Sequence, residues 1–322
     1  RGRRKSSLLD YIIIRIIKIR RMFMKYDEQI YRPPKEYKSI LLQVTSGCTH
    51  NKCKFCGMYR YTNFKMESLD QIEEDVIEAS QHPYYRGVKR VFLLNGNPFV
   101  LKTERLLKIA DIIHKHLPQV EVICMYSSIK DIENKSDQEL KMLKDAGIND
   151  LYLGIESGNQ EALEFINKGN TVEEAITQMK RLDKFDYNYY AMILTGLMGR
   201  GVDKAIENGR LTGLMLSQVN TRGIFPMSLT LVPGTELWDL NRRGEYEEAT
   251  EYDRLIELRS ILENLHPQKT SLLSSAHNSN TMYIKGIAPR DNDKMIKEID
   301  DILSEASPEE MQDWIDRGRI RL

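Results

Sequence analysis

The chain has 322 residues, 41% of them hydrophobic, enough to bury a substantial core as one large domain or two smaller ones. Its 47 basic and 47 acidic residues cancel, so no global field steers it toward nucleic acid, and DNA is not an expected partner. Four cysteines in this length are too sparse for a disulfide-built secreted scaffold.

The charge is unevenly spread. Residues 1–25 hold nine Arg or Lys and a single acid, Asp10. Within them Tyr11-Ile-Ile-Ile-Arg-Ile-Ile-Lys-Ile19 falls short of the ~20 apolar residues of a spanning helix, and Arg15 and Lys18 interrupt it. It also lacks the apolar stretch and small-residue cleavage site of a secretory signal. A membrane-surface helix is one reading. The expectation adopted is an extension without a role in the fold, with Met22 and Met24 as alternative starts, no membrane association and a cytoplasmic location.

Beyond Pro33-Pro34, apolar runs alternate with helical patterns. Ser39–Thr45 reads as a buried strand, and Ser68–Ser80 as a helix with Ser68 and Gln71 set as a capping box. Arg90–Leu94 is a second strand, followed by an amphipathic helix, Thr103–His116, with apolar positions Leu106, Leu107, Ile109, Ala110, Ile112 and Ile113. Val120–Tyr126 is a third strand, in which Cys124 is expected to be a buried strand residue. Ser136–Ala146 is a helix opened by Ser136 with Glu139 and stopped at Gly147. Asp150–Ile155 is the fourth strand, Thr171–Lys184 a helix boxed by Thr171 and Glu174, and Tyr189–Thr195 the fifth strand. Asp203–Leu216 reads as helix and Ile224–Val232 as the sixth strand. Helix Thr250–Leu265, an extended stretch around Ser271–Ile287, helix Asn292–Ser304 and a short helix near Pro308–Arg317 complete the chain.

Crossover helices return the chain to the same end of a sheet, so six strand–helix units in succession predict an α/β fold with parallel strands. Strands that are continuous apolar runs are expected where helices cover the sheet. Periodicity alone leaves a barrel and a doubly wound sheet both open.

Cys48, Cys53 and Cys56 lie within nine residues, flanked by Gly47 and Gly57. Four thiolates would close a zinc site or a cubane cluster; three leave one metal position without a thiolate. Two readings follow: a 4Fe–4S cluster with one open iron, or a Cys3His zinc site completed by His50 in a protein with a structural or regulatory role.

The loop resembles that of the radical S-adenosylmethionine (SAM) superfamily, in which three cysteines, usually spaced C-x3-C-x2-C, follow the first strand of a barrel. Here the spacing is C-x4-C-x2-C, with Phe55 as the aromatic before the last cysteine, a position the resemblance implies to be cofactor-binding. It is similar to a subset of unassigned reaction whose loop reads Gly-Cys-(Ser/Thr)-His-Asn-(Lys/Arg)-Cys-x-Phe-Cys. The resemblance runs from about Ser39 to near Lys297. It implies a partial (β/α)6 TIM-like barrel over 39–235, after a lead-in over 1–38 and before a C-terminal, α-rich extension over 236–322.

The resemblance also implies that Cys48, Cys53 and Cys56 hold one 4Fe–4S cluster, and that SAM chelates the open iron. Reductive cleavage to a 5′-deoxyadenosyl radical and hydrogen abstraction from a substrate would follow. Asn95-Gly96-Asn97 occupies the place of the turn that binds the methionine ammonium, with Asn97 where an acid often stands. Ser127 ends the third strand, and Glu156 resembles an acid that contacts SAM near its ribose or amino group. Lys168 is read as serving the substrate or as solvated. Ala276-His-Asn-Ser-Asn280 and Pro289-Arg-Asp-Asn292 are read as closing the barrel mouth or as surface loops, with no base or metal partner identified for His277. An electron donor such as flavodoxin or ferredoxin is implied. The substrate is expected to be a small molecule, with tRNA or a peptide as the alternative.

Overall fold

A computed structural model describes residues 26, 29–308, 310 and 311; the basic segment 1–23 and most of the short helix expected near Pro308–Arg317 lie outside them. The strands are β1 (Ile40–Gln43), β2 (Thr45–Ser46), β3 (Lys65–Met66), β4 (Arg90–Leu94), β5 (Val122–Ser127), β6 (Ile148–Glu156), β7 (Asn188–Thr195), β8 (Gly223–Ser228), β9 (Ser271–Ser274) and β10 (Lys285–Ala288). The helices are α1 (Leu69–Gln81), α2 (Thr103–His116), α3 (Ile129–Glu133), α4 (Asp137–Asp145), α5 (Gln160–Phe165), α6 (Val172–Lys184), α7 (Val202–Leu216), α8 (Glu236–Arg242), α9 (Glu251–Glu263) and α10 (Asn292–Glu305).

The main sheet runs β1-β4-β5-β6-β7-β8-β9-β10. Its neighbours are parallel from β1 to β9, and β10 is antiparallel to β9. Among the described residues no ladder joins the two edges, so the barrel is open. Period-two alternation sorts each strand between two cores. Ile40 and Leu42, Val91 and Leu93, and Leu151 and Leu153 pack outward on the helices, against Ile72, Leu106 and Ile109 among others. Leu41, Phe92, Cys124, Tyr152 and Tyr190 point the other way and fill the barrel interior. There Tyr152 stacks on Tyr190 with ring centroids 4.7 Å apart, and Tyr190 on Phe225 at 5.8 Å. Cys124 is fully buried and donates to Val91 O, as expected of a strand cysteine.

Residues placed in the lead-in also belong to the barrel. A 3-10 turn, Pro34–Glu36, sets Glu36 beneath the strands at 0% exposure. Its carboxylate accepts from Ser39, Tyr152 and both Arg90 Nε (3.1 Å) and Nη2 (2.6 Å), and Arg90 also pairs with Asp150 at 2.9 Å. A buried carboxylate persists only when paired in this way.

Several boundaries move. The sixth strand ends at Ser228 instead of Val232, because the Ser228 backbone N–H turns to Ser279 Oγ and Asn280 Oδ1 instead of a neighbouring strand. The extended stretch is two strands, β9 and β10, which carry the sheet past the boundary expected at 235. Ser68 caps α1, but the Gln71 side chain bonds Asp75 at 3.0 Å instead of closing the box. The boxes at Ser136 and Thr171 are complete. Helix α9 lies unusually close to α7: a Cβ at Gly209 would stand 2.4 Å from Glu257 O, and one at Gly213 2.6 Å from Ile261 O. Only glycine permits that approach.

Candidate functional site

The cysteine loop leaves β1 and β2 at the carboxyl end of the barrel, where α/β barrels place their ligands. Distant segments brace it. His50 Nε2 meets Asn167 O at 2.8 Å, Asn167 Nδ2 returns a bond to Lys52 O at 3.1 Å, and Lys54 N donates to Ile166 O at 2.9 Å. On the other flank Leu237 N donates to Lys54 O at 2.9 Å. Phe55 anchors the loop by packing into a side cluster with Leu163, Leu197 and Leu237.

Cys48, Cys53 and Cys56 are free and partly buried. Burial pushes the Cys53 thiol up to about 11, partly offset by Lys168, with Glu156 and the other two cysteines also felt there. Burial raises Cys56 too. As bare thiols Cys53 and Cys56 keep their protons, and a metal bound there would have to displace them. Among the described residues no three His, Cys, Asp or Glu side chains are drawn together to hold a single metal ion, and His50 spends one ring nitrogen on Asn167. Three cysteines in one loop are the donor set that a cluster with one open iron takes.

The turn after β4 abuts this loop. A Cβ at Gly96 would stand 2.5 Å from Gly47 O and 2.8 Å from Cys48 Cβ, so glycine allows the two backbones to touch, and Gly96 N donates to Gly47 O at 3.2 Å. Asn95 Nδ2 donates to Thr45 O at 3.1 Å, while its Oδ1 is buried with no partner, an acceptor available to a ligand cation. The Asn97 side chain is committed within the protein. It donates to Thr49 Oγ1 (2.8 Å) and to both Asp131 oxygens (3.1 and 3.0 Å), and accepts from Thr49 N (3.1 Å). An acid at 97 would face the Asp131 carboxylate, whereas an amide donates to it. Burial pushes the Asp131 carboxyl up, against the bonds from Ser128 and Asn97 that lower it. The capping box Ser128–Asp131 that opens α3 is the sequence signal that would have pointed to this residue. Ser127, at the end of β5, is buried and donates to Ser128 O at 3.0 Å.

Glu156 ends β6 with φ 65°, left-handed backbone that costs a non-glycine residue on the order of 1–3 kcal/mol. The register with β7 slips between Gly154 and Glu156, a bulge that re-aims the side chain. Its Oε1 receives Lys168 Nζ at 2.6 Å, with the side chains 9% and 11% exposed. Lys168 is therefore not solvated. Burial works to lower its pKa, but Glu156 and then Cys53 outweigh it and raise the ammonium above the ordinary lysine range.

On the far rim Asn280 Oδ1 accepts from Ser228 N at 2.7 Å, and its Nδ2 donates to Pro226 O and Ser275 O, each at 2.7 Å. This pins the 275–280 loop on the end of β8. His277 Nδ1 meets Ser279 Oγ at 2.8 Å, which is neither a base nor a metal. No helix among the described residues is long and apolar enough to cross a membrane.

Comparison with known proteins bears on the fold and the family. The chain is 24% identical over 201 residues to the heme chaperone HemW of Bacillus subtilis, covering 61% of this chain and 52% of that protein. It is 24% identical over 258 residues to an uncharacterized protein of Methanocaldococcus jannaschii, covering 76% and 74%. In fold it resembles coproporphyrinogen III oxidase (HemN) from Escherichia coli, a radical SAM enzyme, with a TM-score of 0.51 at 14% identity over 78% of this chain and 60% of that one. Methylornithine synthase (PylB) superposes with a TM-score of 0.50 at 18% identity over 71% and 63%. The chain thus spans little more than half the length of HemW. The Radical SAM superfamily model matches residues 42–207, from β1 into α7, and this chain belongs to that superfamily, whose enzymes bind a 4Fe–4S cluster and SAM.

Proposed function

We propose that this protein is a radical SAM enzyme in which Cys48, Cys53 and Cys56 hold one 4Fe–4S cluster, and that Asn95–Asn97, Ser127 and Glu156 form the SAM side of the site. The observation that carries the reading is the contact of the Asn95–Asn97 turn with the cysteine loop at Gly96, beside the buried acceptor Asn95 Oδ1. When bound, the cluster and SAM would supply the chemistry, reductive cleavage of SAM coupled to hydrogen abstraction from a substrate.

This chain's residues bind, orient and keep the site dry. Asn95 offers Oδ1 and the turn its carbonyls to the methionine ammonium, with Asp131 behind Asn97 supplying negative charge. Lys168 compensates thiolate charge and fixes Glu156. Phe55, partly buried against the side cluster, shapes the loop and lies on the cofactor side of it in this reading. The 275–280 loop closes the mouth over a small-molecule substrate. The reductant is a carrier of the flavodoxin or ferredoxin kind, and the location is the cytoplasm.

Anaerobic reconstitution tests the proposal. Loaded protein should contain about four irons and four sulfides, bind SAM, and release 5′-deoxyadenosine slowly on reduction. A colourless protein holding stoichiometric zinc, or a loaded cluster that never yields 5′-deoxyadenosine, overturns it.

A further inference from the structure

A non-glycine residue keeps a left-handed backbone only where its surroundings impose it. At Glu156 the three following residues do so. Ser157 Oγ donates to Asn208 Oδ1 at 2.8 Å and accepts from Asn159 N at 3.0 Å, while Gly158 N donates to Thr212 Oγ1 at 2.9 Å. Asn208 and Thr212 are buried on α7, and neither is near the cysteine loop in sequence.

Asn208 is itself held from beyond the barrel. Its Nδ2 donates to Glu257 Oε1 at 2.6 Å, and Glu257 Oε2 accepts from Gly196 N at 2.8 Å. Gly196 is the first residue after β7 and has φ 87°. Glu257, 2% exposed on α9, thus ties together the turns that follow two neighbouring strands. A group that accepts on both oxygens also fixes which way the Asn208 amide faces. With Nδ2 toward Glu257, Oδ1 must face Ser157. Glutamine cannot reproduce this, because its amide nitrogen would confront either Asn208 Nδ2 or Gly196 N–H. The close α7–α9 approach at Gly209 and Gly213 holds the carboxyl in reach.

We propose that Glu257 is a positioning residue for SAM binding, acting through Asn208 and Ser157 to hold the strained Glu156 in place. This rests on the reading of Glu156 as a SAM contact. The test compares cluster-loaded wild type with Glu257→Gln, Ser157→Ala and Glu156→Ala, and with the two double variants that include Glu156→Ala. SAM affinity is measured by titration at pH 8, with iron content and thermal midpoint in parallel.

Glu257→Gln and Ser157→Ala should each weaken SAM roughly tenfold at unchanged iron content. Neither should weaken it further once Glu156 is alanine, because the residue they position is gone. A merely structural role predicts equal effects in both backgrounds. Ser157→Ala leaves the Glu257–Gly196 bond intact and carries the test if Glu257→Gln fails to fold. Wild-type affinity in the folded single variants, or full additivity on Glu156→Ala, overturns the proposal alone. Wild-type affinity in Glu156→Ala overturns it together with the reading beneath it.

Discussion

The Glu156–Lys168 pair allows stability and function to be separated by charge removal. Glu156→Met leaves an ammonium that is 11% exposed without its partner at 2.6 Å, and Lys168→Met leaves a carboxylate that is 9% exposed in the same position. Breaking a buried pair from either side costs about 3–5 kcal/mol, since the remaining charge has lost its compensation. Removing both leaves two unbranched apolar side chains of similar volume, at a cost below about 1 kcal/mol. The singles thus sum to roughly 6–10 kcal/mol and the double falls short of that by about 5 kcal/mol or more. At about 2–4 °C per kcal/mol, each single should lower the thermal midpoint by on the order of 10 °C and the double by a few degrees. Circular dichroism melts of the four cluster-free chains read this directly. Additive losses, or singles within about 1 kcal/mol of wild type, would refute the reasoning. The double variant, stable and reconstituted, should still lose SAM affinity at least tenfold; if it binds SAM normally, the pair is structural only.

Cys48→Ala, Cys53→Ala and Cys56→Ala should each abolish iron binding, while Cys124→Ala, buried against Val91 O, should retain it; iron analysis after anaerobic loading decides. Gly96→Ala drives a Cβ to 2.5 Å from Gly47 O, backbone that cannot yield cheaply, so a loss of about 1–3 kcal/mol and reduced SAM affinity are expected. Unchanged melting and SAM titration in Gly96→Ala would mean that the two loops do not touch. Burial pushes the Glu257 carboxyl up to about 7, against the bonds from Gly196 and Asn208 that lower it. The folded chain therefore holds this proton more tightly than the unfolded one. Its contribution, on the order of 3 kcal/mol, is complete below the ordinary glutamate pKa and is lost as pH rises through about 7. Midpoints measured from pH 5 to 8 should fall with pH, less steeply in Glu257→Gln; an identical slope in that variant rules Glu257 out as the titrating group.

Much of the barrel was legible because its signals are local. The apolar runs at Val91–Leu94 and Leu151–Ile155, and the capping boxes at Ser136 and Thr171, depend on neighbours within a few residues. The three cysteines within nine residues were legible for the same reason, since their nearness is a property of the sequence itself. The stretch around Ser271–Ile287 was legible as extended but its place in the sheet was not, since β9 pairs with β8, about fifty residues earlier.

What the sequence determined alone was the order of parallel strand–helix units and the triad Cys48, Cys53 and Cys56. What only the tertiary structure decided was the partnership of side chains far apart in the chain. Asn97 looked like a lost acid until Asp131, 34 residues on, was seen to receive its amide. Lys168 was open between a substrate role and solvent until the bulge at Glu156 turned the carboxylate onto it. Glu257 looked like an ordinary helix position until the glycines of α7 let α9 approach and set its carboxyl against Gly196 and Asn208. The physical reason is the same in each case. Periodicity and capping are short-range properties, whereas the pairing of a buried polar group is settled only when folding removes water and leaves one neighbour within reach.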